Sequence, residues 1–141
     1  NAPAIARERG IKVREARASR SSDFVNSITV HVKRASGESE VEGALFGTST
    51  LRLVRIDDFY MEAVPEGYVL MLNNRDVPGV VGRVGTLLGA HGINIAGLEL
   101  GRERVGGMAI SFVHVDSAVP ESVLEELRRS PDIISARLLK L

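Results

Sequence analysis

The residues best placed to do chemistry lie in Asn73-Asn74-Arg75-Asp76-Val77-Pro78-Gly79, where an apolar run gives way to a segment punctuated like a helix start. The first N–H groups of a helix have no partners and sit at the positive end of its dipole, so such a start suits an anion. Asp76 offers a carboxylate to an ammonium group, and Asn74 and Asn94 can each donate and accept hydrogen bonds. Main-chain amides just ahead of Pro78, the Asp76 carboxylate and an amide side chain together describe a site for a small amino acid. The same spacing fits a plainer role, in which Asp76 only caps a helix beginning at Pro78. Spacing by itself favours the plainer role.

Catalytic groups are sparse. His31, His91 and His114 are far apart in sequence, and no nucleophile elbow, Walker loop or paired carboxylates occur. His31 falls on the polar face of a strand, His91 in the last turn of a helix where a polar cap is favourable, and His114 at a strand end beside Asp116. Each reads as structural. Gly79, Gly82, Gly85 and Gly89 recur at intervals of three, three and four, which is not the G-x-G-x-x-G of a dinucleotide fold. A G-x-x-G loop of the RNA-binding kind lacks basic and aromatic support here. Gly82, Gly85 and Gly89 share one stripe of a helix, and each interior glycine costs about 1 kcal/mol against alanine. The stripe therefore predicts close backbone approach, to a sheet foremost or to a second subunit.

These groups must be positioned by two runs of elements. A short helix opens the chain, with Asn1 as cap, Pro3 in the first turn and Gly10 as stop. Ile11 to Ala18 reads as a charged strand, and Asp23 to Asn26 as a turn. Ile28 to Lys33 alternates apolar and polar side chains, predicting one buried and one wet face. Val41 to Phe46, Leu51 to Ile56 and Phe59 to Val64 are further strands, the last two joined by a tight Asp57-Asp58 turn. Pro65-Glu66-Gly67 marks a boundary between residues 1–66 and 67–141. Beyond it come strand Tyr68 to Asn73, helix Pro78 to His91 stopped by Gly92, strands Ile95 to Arg102 and Met108 to Val115, helix Pro120 to Arg129, and strand Ile133 to Leu141. The order βαββαβ predicts a ferredoxin-like antiparallel sheet with both helices on one face, within an α+β chain.

Composition bounds the partners. The 141 residues carry 18 basic and 18 acidic side chains, and zero net charge argues against nucleic acid. No apolar run approaches a membrane span, so no membrane partner is expected. The absence of cysteine removes disulfides and thiolate metal sites and fits a reducing compartment. The first residue is Asn1, without signal-like features, and the chain reads as a piece of something longer.

Asn74 to Val80, Gly85-Thr86-Leu87-Leu88-Gly89, Gly92-Ile93-Asn94-Ile95-Ala96 and Ile134-Ser135-Ala136-Arg137-Leu138 resemble the ACT domain that ends many phosphoglycerate dehydrogenases. Asn1-Ala2-Pro3 through Gly10, then Gly43-Ala44-Leu45-Phe46-Gly47, resemble the intervening, or allosteric substrate-binding, domain of the longer form of that enzyme. The resemblance implies a small mixed α/β domain followed by a ferredoxin-like ACT domain. It also implies a cytoplasmic parent that oxidises 3-phosphoglycerate with NAD, in the first step of serine synthesis. Catalytic residues and NAD would belong to other domains, leaving this region regulatory and without a cofactor of its own. Family members hold L-serine between two subunits, which assigns Asn74, Asp76, Val77, Pro78 and Gly79 to one side of the site and Asn94 to the other. It further implies a homo-oligomer, dimer or tetramer. Many members read Asn-Arg-Pro-Gly or Asp-Arg-Pro-Gly where this chain has Asp76-Val77-Pro78-Gly79. In the intervening domain the resemblance suggests an anion site, with Arg52, Arg55, Lys33 and Arg34 as candidates; strand alternation sends Arg52 and Arg55 to opposite faces. Two other readings remain, the matching region of an iron–sulfur L-serine dehydratase and a purely structural joining module.

Overall fold

The computed structural model describes residues 2–16, 24 and 26–141. Its elements are α1 (Ala2–Glu8), β1 (Ser27–Arg34), β2 (Gly37–Phe46), β3 (Thr50–Ile56), β4 (Phe59–Ala63), β5 (Tyr68–Arg75), α2 (Val80–Ala90), β6 (Ile95–Arg102), β7 (Met108–Val115), α3 (Glu121–Arg128) and β8 (Ile133–Lys140). Two four-stranded antiparallel sheets result, β1-β2-β3-β4 and β6-β7-β5-β8. The second is the ferredoxin-like order that βαββαβ predicts.

Local signals set the helix ends. At the close of α2, Gly92 adopts φ 68°, its N–H reaches the Gly89 carbonyl at 3.0 Å, and the Ile93 N–H reaches Leu88 at 2.9 Å. This pair of bonds is a Schellman motif, and its accompanying apolar contact joins Ile93 to Leu88 inside the core. Gly10 (φ 68°) closes α1 by the same two bonds, to Arg7 and Ala6. The predicted Asn1 cap lies outside the described residues. Helix α3 starts one residue beyond Pro120, which occupies the N-cap in an extended conformation.

Both faces of the second sheet are covered. On one, Leu70, Leu72 and Val113 pack under Val84 and Leu88 of α2 and Val123 and Leu127 of α3. On the other, Val69, Ile110 and Phe112 receive Ala63 of β4, with Phe59, Met61, Leu53 and Ile56 around them. The first sheet is thus joined to the second through β4, which runs against β6 and β7. Gly101 of β6 makes this approach possible. A methyl group there would lie 2.8 Å from the Tyr60 carbonyl oxygen and 3.1 Å from Phe59 Cβ.

Four expectations fail for tertiary reasons. Residues 11–16 form no strand: Ile11 and Val13 are exposed and no described strand pairs with them. The rest of that segment, Arg17 and Ala18, lies outside the described residues, as do Asp23 and Val25 of the expected turn. In β1, Ile28 (74% exposed), Val30 and Val32 stay open to solvent, because β1 is the edge farthest from β4 and nothing described covers its apolar face. The glycine stripe does not pack on the sheet. Helix α2 buries Val80, Val84 and Leu88, while a methyl group on Gly82, Gly85 or Gly89 would meet nothing within 4 Å. Finally, the β2–β3 register shifts between Glu42 and Gly43, so Arg52 faces Ala44 and Arg55 faces Glu42. Glu42 and Ala44 share a face of β2, and the bulge therefore puts both arginines on one side.

Replacing Gly101 with Ala should destabilise the chain by about 1–3 kcal/mol, because the methyl group meets backbone rather than a flexible side-chain tip. Urea unfolding would read this as a lower midpoint, and an unchanged midpoint would mean that β4 and β6 are not in close contact.

Candidate functional site

The site is built where β5 runs into α2. Asn74 is buried (3% exposed) on the helix-covered side of the sheet. Its Oδ1 accepts from Ser111 Oγ at 2.8 Å and its Nδ2 donates to the Arg75 carbonyl at 2.8 Å. A buried amide left without partners would cost about 1–3 kcal/mol, so these bonds hold the strand end in place. The Asp76 N–H donates to Gly107 and the Val77 N–H to Arg75, at 2.9 and 3.0 Å. Pro78 has no N–H to give. Gly79, in a left-handed conformation (φ 90°), is the N-cap of α2 and no side chain caps it.

Two expectations change here. Asp76 does not cap α2, because the helix begins two residues later than the proline suggests. The amides just ahead of Pro78 are not available to a carboxylate either, because the strand end and the β6–β7 turn already engage them. What remains open is the first turn of α2, whose N–H groups have no intrahelical partners.

Beside this turn is a cleft of about 250 Å³, lined by Asn74, Asp76, Val77, Val80, Val81, Leu100 and Arg102 among others. Asp76 Oδ2 and Arg102 Nη1 stand 3.4 Å apart across it, the side chains 30% and 59% exposed. Pro78 and Gly79 turn the chain into α2 without lining the cleft. Leu98, Leu100 and Arg102 alternate along one face of β6, next to Val81, and Leu98 and Leu100 remain 39% and 51% exposed.

Asn94 sits elsewhere. It precedes the start of β6 and donates from Nδ2 to Asp116 Oδ2 at 2.7 Å, whereas Arg102 ends β6 beside Asp76. The length of β6 separates Asn94 from the cleft by about 25 Å. Within one chain the two halves of the expected site do not meet. Sequence reading missed Arg102 and Leu100, although the alternation Leu98, Leu100, Arg102 was there to be read; without the sheet order it pointed to no particular loop.

The basic residues of the first sheet do not converge either. Lys33 Nζ donates to Glu38 Oε1 at 2.8 Å, and Arg34 donates to Ser39 Oγ at 2.5 Å. Arg52 Nε stands 3.7 Å from Glu62 Oε1. Arg55 is held between Glu40 and Glu42, its Nε 3.3 Å from Glu42 Oε2, and His31 Nδ1 lies 2.5 Å from the second oxygen of Glu40. Arg52 and Arg55 share a face, yet each is already matched by carboxylates. His91 bonds the Leu87 carbonyl through Nδ1 at 3.0 Å, the helix-end role its position predicts, and His114 Nε2 lies 3.2 Å from Glu99 Oε2 on the neighbouring strand. No helix of the described residues is long and apolar enough to cross a membrane.

Comparison with known proteins bears on both halves. Residues 68–132 match the ACT domain, and residues 1–57 match the D-3-phosphoglycerate dehydrogenase intervening domain. The chain is 34% identical along its whole length to D-3-phosphoglycerate dehydrogenase of Synechocystis, covering 26% of that protein. It is 35% identical to the Bacillus subtilis enzyme, covering 27%, and 31% identical to that of Methanocaldococcus jannaschii, covering 26%, again over its full length. The chain therefore spans about a quarter of the length of these relatives. With an intervening domain leading into an ACT domain, and both in register with these enzymes, it belongs to the D-3-phosphoglycerate dehydrogenase family and represents that family's regulatory portion.

Proposed function

We propose that this region binds L-serine between two copies of itself and thereby regulates an NAD-dependent, cytoplasmic phosphoglycerate dehydrogenase of serine biosynthesis. Oxidation of 3-phosphoglycerate and the binding of NAD belong to the remaining three quarters of such an enzyme, and this region takes no part in the chemistry. The intervening-domain match favours the dehydrogenase over an iron–sulfur dehydratase.

One observation carries the reading: Asp76 and Asn94 lie at opposite ends of β6, and β6 is an edge strand. Among the described residues its outer N–H and C=O groups have no ladder partner, and Leu98 and Leu100 are exposed beside them. A two-fold axis through β6 pairs it antiparallel with its copy. Side chains on the same face must then oppose one another, so the register is centred on a residue and not between two. Centring on Leu98 brings the paired leucines together and carries the Asn94 end of the second copy's strand toward Arg102, beside the cleft that holds Asp76; the irregularity between Ile95 and Gly97 shifts which residue stands directly opposite. Two equivalent sites result, each with an acid from one chain and an amide from the other. The uncovered glycine side of α2 leaves room for the second copy to approach. Such a ligand reaches distant catalysis only by favouring one subunit arrangement over another.

Light scattering should give a dimer or tetramer, and Leu98→Glu, which would put two carboxylates opposite each other at the axis, should dissociate it. L-serine at ten times its Kd adds about 1.4 kcal/mol to the folded state, a rise of about 5 °C in Tm. Asn94→Ala should remove that rise and leave the oligomer intact. A single-copy particle would overturn the proposal. An oligomer whose Tm responds to no amino acid would leave only a joining role.

A further inference from the structure

We infer that Arg102 is the carboxylate anchor of the amino-acid site, opposite Asp76 as the ammonium anchor; the inference rests on the amino-acid reading above. An α-amino acid brings two opposite charges a few ångströms apart, and its site needs one group for each. Asp76 supplies the acid. The amides just ahead of Pro78 are engaged by Gly107 and Arg75, so the ligand's carboxylate is left with the open first turn of α2 and with a side-chain cation. Among the residues lining the cleft, the cations are Arg75 and Arg102. Arg102 projects from the same face of β6 as Leu98 and Leu100, which also line this side of α2, and it already reaches the Asp76 carboxylate.

The existing Arg102–Asp76 contact is easily opened. At 3.4 Å, with both groups partly in water, it is the kind of pair that contributes little to stability. A zwitterion entering between the two exchanges this one loose pair for two charge-assisted contacts. The planar guanidinium can take both carboxylate oxygens at once, which a lysine cannot do. Val77, Val80, Val81 and Leu100 border these contacts with apolar surface, against which the ligand's short side chain can rest. A ligand lacking either charge leaves Arg102 or Asp76 with its original partner and gains little.

Calorimetry on the 141-residue chain tests this with L-serine, L-serinamide (no carboxylate) and glycerate (no ammonium). The native chain should bind L-serine and neither analogue measurably. Arg102→Gln should weaken L-serine at least tenfold with no change in oligomeric state by light scattering, and Arg102→Lys should recover part of the loss. Binding of L-serine to Arg102→Gln within twofold of the native value would overturn the anchor and leave the amino-acid site standing. Dissociation of the Arg102→Gln oligomer would also overturn it, because Arg102 would then be holding the second copy and not the ligand. No binding of L-serine by the native chain would bring down both the anchor and the reading beneath it.

Discussion

The central β5–β7 ladder of the second sheet is buried from both sides, and the rest of the molecule is arranged around that demand. Leu70, Leu72 and Val113 need the helices, while Val69, Ile110 and Phe112 need β4. A sheet with two apolar faces cannot leave either in water, so the first domain is held against the second by burial rather than by a linker alone. The approach is close enough that β6 carries a bare glycine where β4 crosses it. This contact gives the intervening domain a mechanical purchase on the strand that also borders the candidate site.

Coverage of the sheet is unequal. The helices shelter β5, β7 and β8 but leave the outer face of β6 with two exposed leucines and a line of unpaired backbone groups. The cleft lies on that incomplete side. A site assembled at a subunit junction is well suited to regulation, because occupancy and assembly then share the same free energy. Within one chain Asp76 answers Arg102 and Asn94 answers Asp116, at opposite ends of the edge strand β6, and the proposed site requires that strand to be doubled.

The charges of the first sheet have a different character. Lys33, Arg52 and Arg55 each face a carboxylate, and Arg55 lies between two. Removing the arginine would leave the buried Glu42 without its counter-charge, which explains why this cluster reads as structure more readily than as a vacant anion site. Beside it, β1 displays Ile28, Val30 and Val32 to solvent because no described element of the second domain extends that far.

Sequence alone determined what depends on a few neighbouring residues. Gly92 and Gly10 ended their helices, Pro120 opened one, Asp57-Asp58 turned a hairpin, and the alternating and helical runs put βαββαβ in order; each rests on φ preferences or on side-chain periodicity within a turn or two. Motif spacing also brought Asp76 and Asn94 to attention. Tertiary structure decided everything that depends on what lies opposite. Whether an apolar stripe is covered, as for β1, or a glycine stripe is used, as for α2, is a property of the neighbouring element and not of the stripe. A single bulge at Glu42/Gly43 reversed the facing of Arg52 relative to Arg55, since strand parity is lost wherever one residue is inserted. The distance from Asn94 to Asp76 likewise followed from sheet order, which joins β6 to β7 and leaves its other edge open. Such long-range pairings are selected by the total burial of both sheet faces, a quantity that no short window of sequence contains.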